Sequence, residues 1–326
     1  MKNIFYFLLY IIIISLNTIC CKKEDCNEIV NKVSKTYDFN VLLVPDLSNR
    51  INPDIHPKPI HDTLLLNTVI DSIGNFLTVN NRRMNQLDSY KFDFINRGVL
   101  NNSQVADAKN LQINFREFKG KIRDASNFKR HHLKPAISIF KKNISKIYTY
   151  SLKNPAGSDV WNYLNQTITP SLINEPSITI SNGKNSIIKN TKNVVVLFTD
   201  GYIESANNSA GYTFDQQSIK KIRQEFINSK SVDLEKFIQS KPEYLIKKTS
   251  NNLKNVNVLV LEMVDRSLDK NGSTTVQPTD FEIMKIIWTQ WLKSSGAAHV
   301  EIYPAFSKRT DAYDAVKKFM IEISNN

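Results

Sequence analysis

Two short apolar runs, each ending in an aspartate, constrain this chain more than any other feature. Val194-Val195-Val196-Leu197-Phe198 leads into Thr199-Asp200-Gly201, and Val41-Leu42-Leu43-Val44 leads into Pro45-Asp46-Leu47-Ser48. An apolar run of that length bounded by turn residues predicts a strand buried on both faces, as inside a parallel sheet. Ligands of such sheets sit at the carboxyl ends of the strands. Asp46 and Asp200 are therefore expected at one edge of one sheet. Acidic and hydroxyl side chains gathered there suit a hard cation, Mg2+ first, with Mn2+ and Ca2+ open.

The rest of the chain alternates strand and helix signals. Ile60, Leu64, Leu66, Val69, Ile70, Ile73, Phe76 and Leu77 follow a 3.6-residue period and predict one helix. Tyr90, Phe92 and Phe94, and then Leu111, Ile113 and Phe115, alternate with polar residues and predict half-buried strands near a sheet edge. Helical pattern returns across Ala136 to Tyr150 and from Ser158 to Leu164. A polar loop is expected at 181–192. Val256 to Leu261 predicts a third buried strand, followed by a helix carrying Phe281, Met284, Trp288, Trp291 and Leu292. Val300 to Pro304 predicts a last strand and Ala312 to Met320 a closing helix. This alternation predicts an α/β fold: a doubly wound, mostly parallel Rossmann-like sheet with one antiparallel edge strand and helices on both faces.

The N-terminus reads as a targeting segment. Lys2 precedes an apolar stretch from Ile4 to Leu16, too short for a span of about 20 residues. It ends at Thr18-Ile19-Cys20-Cys21-Lys22-Lys23, which resembles a bacterial lipoprotein lipobox. Residues 1–20 are then a signal peptide and Cys21 carries the lipid, with Cys20 as the alternative acceptor. Cys-Lys-Lys-Glu-Asp also resembles the start of Bacteroidetes lipoproteins, whose acidic cluster goes with surface export. The expected location is the cell envelope, lipid-anchored, at an outer membrane facing the periplasm or the surface. Residues 21–39 read as a polar tether, and 40–326 as the folded body with insertions near 96–130 and 202–254. With Cys20 removed and Cys21 acylated, Cys26 has no partner for an internal disulfide, so the body must stand on its core.

The formal charge of +12 comes from lysines spread along the chain. The densest cluster, Lys129-Arg130-His131-His132 with Lys134, has no interleaved aromatics and reads as a solvated loop rather than a nucleic-acid surface. A basic surface favours acidic partners or anionic lipids.

Three pieces in order resemble the von Willebrand factor type A (vWA) domain: Asp46-Leu47-Ser48-Asn49-Arg50, Gly157-Ser158-Asp159 and Thr199-Asp200-Gly201. That family carries a metal-ion-dependent adhesion site built from Asp-x-Ser-x-Ser, a separate Thr and a later Asp. The resemblance covers roughly residues 40 to 322. It implies metal ligation by Asp46, Ser48, Ser158 and Asp200, with Ser158 in the place of the Thr, and binding of a protein or other ligand. Arg50 departs from the pattern, standing where the second Ser belongs. A guanidinium has no lone pair for a cation. Either Arg50 swings outward and leaves water in its place, or it pairs with Asp46 or Asp200 and replaces the metal in a metal-free module. Catalysis is not expected. A phosphoryl-accepting Asp46 of the haloacid-dehalogenase type would need Asp-x-Asp where the chain has Ser48, and no hydrolase elbow, zinc-helix motif or P-loop is present.

Overall fold

The computed structural model describes residues 32–82, 85–95, 108–155, 157–181, 185–203, 213–249, 253–269 and 271–325. The targeting segment with Cys20, Cys21 and Cys26 lies outside the described residues. No helix among those described is long and apolar enough to cross a membrane. The chain divides into two compact units, Met1–Lys35 with Ile178–Ile188, and Thr36–Ser177 with Lys189–Asn326. Strand β4 (Ile178–Ser181) belongs to the first, where Ser181 and Ser186 hydroxyls lie 2.7 Å apart. The first residues of β1 and β5 also fall in the first unit, and the second carries the helices and the candidate site.

Its sheet is ordered β3-β2-β1-β5-β6-β7, from β1 (Lys32–Pro45), β2 (Ser89–Phe92), β3 (Gln112–Asn114), β5 (Asn185–Phe198), β6 (Val256–Met263) and β7 (His299–Pro304); β4 pairs with β5 off this path. β1 and β2, β5 and β6, and β6 and β7 are parallel, with Val41 opposite Tyr90 and Val196 opposite Leu259. β2 and β3 are antiparallel, which places the antiparallel strand at the edge. The chain moves outward from β1 to β3 and returns through β5, so the order switches between β1 and β5.

The apolar runs are buried on both faces. Val41, Leu43, Val194, Val196 and Phe198 enter one core, whereas Leu42, Val44, Val195 and Leu197 enter another. Helices α1 (Asp62–Asp71), α2 (Leu133–Lys153) and α6 (Arg309–Asn325) cover the first face. Helices α3 (Gln216–Ser229) and α5 (Asp280–Ser294) cover the second; α4 (Leu234–Gln239) adds Phe237 and Ile238 there. Each buried Val, Leu or Phe contributes about 1.5–3 kcal/mol. The α5 stripe inserts Trp288 and Trp291 beneath a capping box made by Thr279 and Glu282.

Four local expectations need correction. β1 begins at Lys32, so residues 32–39 are strand rather than tether; Tyr37 and Phe39 are buried, and Asp38 is neutralised by Lys189 at 2.8 Å. β5 begins at Asn185, where Lys and Asn content reads as loop, and Lys192 lies 4.5 Å over the Tyr37 ring. The basic cluster is a solvated helical lead-in to α2, a wide turn over Phe128–His132, and not a loop. The helix expected from Ile60 to Leu77 ends at Asp71 and resumes over Ile73–Phe76. There the Ser72 hydroxyl bonds back to Thr68 O at 2.8 Å, a bond that bends helices.

Candidate functional site

The switch between β1 and β5 brings Asp46 and Asp200 to one end of the sheet. Asp46 N donates to Phe198 O at 2.9 Å, tying the two strand ends together. Both oxygens of the Asp46 carboxylate are engaged. Oδ1 accepts from Ser158 Oγ at 2.5 Å and from Ser48 N at 2.9 Å, while Oδ2 accepts from Thr199 Oγ1 at 3.2 Å. Asp200 Oδ1 accepts from Tyr202 N at 3.2 Å, and Oδ2 from Arg266 Nη2 at 3.1 Å. A polar cleft of about 180 Å³ is lined by Asp46, Ser48, Arg50, Ser158, Asp200 and Arg266, among others. The structure thus brings together the residues singled out from sequence. Ser158 is not the cap of the short helical turn Val160–Asn162; Asp159 is, which leaves the Ser158 hydroxyl for Asp46.

Arg50 takes neither of the two orientations expected of it in full. It is 3 % exposed and turns inward beneath the cleft. Nε donates to Asp46 O at 3.0 Å and lies 3.6 Å from Asp46 Oδ2; Nη2 donates to Phe198 O at 2.6 Å. Its closest charged partner is Asp62 Oδ2, at 2.5 Å, a residue that sequence reasoning missed. Lys58 Nζ adds a second cation, 2.8 Å from Asp62 Oδ1 and 3.9 Å from Glu262 Oε2. Asp62 opens α1, and Lys58 reaches it from the loop that precedes the helix.

Burial alone would raise the Asp62 carboxyl, but Arg50 and then Lys58 hold it well below the usual carboxylate range. Burial would lower Arg50; Asp62, Asp46 and Asp200 together push it above its ordinary value. Asp200 moves up, from burial and from Asp46, against Arg50 and Arg266. Glu262 is fully buried at an irregularity of β6, with φ +76°, and burial followed by Asp62 pushes it up to about 7.

The donor set of Asp46, Ser48, Ser158 and Asp200 has the hard oxygen chemistry a divalent cation takes. The charge does not fit one. The carboxylates of Asp46, Asp62 and Asp200 meet the cations of Arg50, Lys58 and Arg266, all in contact with that set or one step beneath it. Arg266 sits in the loop after β6 and stacks 4.0 Å over the Tyr202 ring, whose hydroxyl donates to Asp280 at 3.0 Å. Its place after the third apolar run was the available signal. Elsewhere, among the described residues, His299, Glu301 and Glu322 gather within 4.8 Å, but Lys318 Nζ lies 4.0 Å from Glu301 and 3.5 Å from Glu322 and supplies a cation.

No protein-family model matches this chain, and no curated protein does. Among solved structures it is similar to the pilus adhesin SpaC from Lactobacillus rhamnosus GG, at 12 % identity and a TM-score of 0.35 over 90 % of this chain. The match spans 31 % of that adhesin's length. At that score the likeness carries no argument about ligand or activity.

Proposed function

We propose that this chain is an envelope-anchored ligand-binding module of vWA-like type, in which the adhesion site is organised by a buried arginine instead of a metal ion. One observation carries the reading: the guanidinium of Arg50, the residue that stands in the sequence where the metal-site pattern has its second Ser, lies 3.6 Å from Asp46 and 2.5 Å from Asp62. The strand order, the antiparallel edge strand and the convergence of Asp46, Ser48, Ser158 and Asp200 support the vWA-like part. Both Asp46 oxygens accept hydrogen bonds, which supports binding over nucleophilic catalysis. Anchoring through Cys21 follows from the lipobox-like segment alone.

A second reading has one observation in its favour, the hydroxyl and carboxylate oxygens of those same residues lining one cleft. There Asp46, Ser48, Ser158 and Asp200 would hold Mg2+, which would offer a coordination position to an acidic ligand. Melting the full-length chain with excess Mg2+ and with EDTA separates the two. A cation bound at a hundredfold excess over its dissociation constant stabilises by about 2.7 kcal/mol. The metal-free reading expects coincident melting curves, and a Mg2+-dependent rise that Asp200→Ala removes would overturn it.

A further inference from the structure

We propose that this chain binds a Zn2+ ion at a second site, formed by His299, Glu301 and Glu322 where β7 meets α6. His299 opens β7, which runs parallel to β5 through β6, whereas Asp200 follows the end of β5. The triad therefore lies away from the cleft, and nothing in it depends on how the cleft is filled. β7 is the last strand of the sheet path, and Glu322 reaches it from α6.

Three observations point to a metal ion. His299 and Glu301 stand two apart on β7 and so share one face of the strand. His299 Nε2 lies 3.7 Å from Glu301 Oε1 and 3.7 Å from Glu322 Oε2, and one ligand atom of each residue falls within 4.8 Å of the others. Ligands held tetrahedrally by zinc at about 2.0–2.2 Å are about 3.4 Å apart, so small side-chain rotations complete the shell. Next, His299 Nε2 is buried and has no hydrogen-bond partner among the described residues. An imidazole nitrogen left unpaired is destabilising, and a metal ion would take its lone pair. The groups beside it are surface side chains, Glu322 being 35 % and Lys318 60 % exposed, so an ion reaches Nε2 once they rotate. Last, Tyr303 Oη donates to Glu301 Oε2 at 2.7 Å, which orients that carboxylate and leaves Oε1 for the ion. Metal ligands are commonly held by such an outer bond. Phe319 packs on the imidazole at 5.2 Å between ring centroids and steadies it from α6.

The donor set names the ion. One imidazole with two carboxylates suits zinc, whereas Mg2+ and Ca2+ take oxygen ligands. Three protein ligands leave the fourth tetrahedral position to water. Lys318 Nζ stands 4.0 Å from Glu301 Oε1 and 3.5 Å from Glu322 Oε1. An exposed pair of this kind contributes little, and the lysine leaves Nε2 unpaired. Zn2+ would balance both carboxylates, engage the imidazole, and clamp the edge strand β7 to the closing helix.

The test titrates the EDTA-stripped full-length chain with Zn2+ by calorimetry, its three cysteine thiols capped with iodoacetamide so that they take no metal. One ion per chain should bind, and saturation should raise the melting temperature. H299A and E322Q should each weaken binding by about a hundredfold or more, since even outer-bond losses reach that figure. E322Q exchanges a surface group, so it decides the matter should H299A disturb the packing on Phe319. K318Q, which removes the competing cation, should bind at least as tightly as wild type. Excess Mg2+ should leave the isotherm unchanged. No Zn2+ binding, binding that E322Q leaves within about tenfold of wild type, a weaker K318Q, or displacement by Mg2+ would overturn the site.

Discussion

Burying Arg50 against Asp62 takes two charges out of water, which the fold tolerates because each answers the other and Arg50 also donates to two strand-end carbonyls. Removing one partner of such a pair costs about 3–5 kcal/mol. Arg50→Ser should therefore destabilise the protein by that order in denaturant titration, and it should create a Mg2+-dependent gain, since the hydroxyl returns and Asp46, Asp62 and Asp200 are left in excess. Equal curves for wild type and variant, with and without Mg2+, would remove Arg50 from the heart of the site. Glu262 gives a pH test with a defined sign. Its folded value of about 7 exceeds its ordinary 4.5, so its contribution is complete below pH 4.5 and is lost as pH rises through 7. Stability should fall on the order of 3 kcal/mol across that window, and Glu262→Gln should flatten the fall while keeping an acceptor for Phe306 N. Asp62 runs the other way: its value is depressed, so its contribution is present above 3.8 and lost as pH falls. A calorimetric series from acid to neutral pH that shows no Glu262-dependent slope would contradict this. At this scale Asp46, Ser48, Ser158 and Asp200 were legible because strand ends and motif order mark them. Asp62 and Arg266 were not, because Asp62 meets Arg50 only through the fold of the intervening loop and Arg266 meets Asp200 across 66 residues of sequence.

Among the elements, the buried strands were the easiest to read and the half-polar ones the hardest. Val194 to Phe198 carries no polar residue, and Val256 to Leu261 carries Asn257 alone, which is buried and donates to Asn193 O at 2.9 Å; both runs are buried in β5 and β6. The first half of β5 and the start of β1 hide behind Lys, Asn and Asp, whose charges are answered across the sheet by pairs such as Lys189 and Asp38. No local pattern reveals that answer. The turn after β5 is where strand and site meet most tightly. Gly201 has φ +89°, and a Cβ there would lie 2.8 Å from Met284 Sδ and 3.2 Å from Met263 Cγ. Its carbonyl accepts from Trp288 Nε1 at 2.9 Å, which ties the Asp200 turn to α5. Gly201→Ala should cost about 1–3 kcal/mol through overpacking and backbone strain. It should also displace Asp200 from Arg266, to which it is bonded at 3.1 Å. A variant as stable as wild type in urea would show that the turn has slack that the contacts with Met284 and Met263 deny.

For the whole molecule, the alternation of signals was enough to anticipate an α/β fold with a mostly parallel sheet, since every run had to find a layer. Composition was less direct. A charge of +12 spread along the chain does not say where an acidic partner docks, and the cleft itself is nearly balanced, with three carboxylates against Arg50, Lys58 and Arg266. Long-range attraction and local grip are thus separate properties of this chain. The spread charge should act on the encounter, and the fork of Arg266 on what happens after contact. Salt distinguishes them, because the Debye length shrinks from about 30 Å at 0.01 M to about 3 Å at 1 M. Stopped-flow association of an acidic probe, the capped peptide acetyl-Leu-Glu-Leu-amide, should slow on the order of tenfold across that range, by a similar factor in wild type and R266Q. Dissociation should be the faster step in R266Q at every salt concentration. If the two proteins instead differ in association rate and share one dissociation rate, Arg266 steers the partner from a distance and does not hold it.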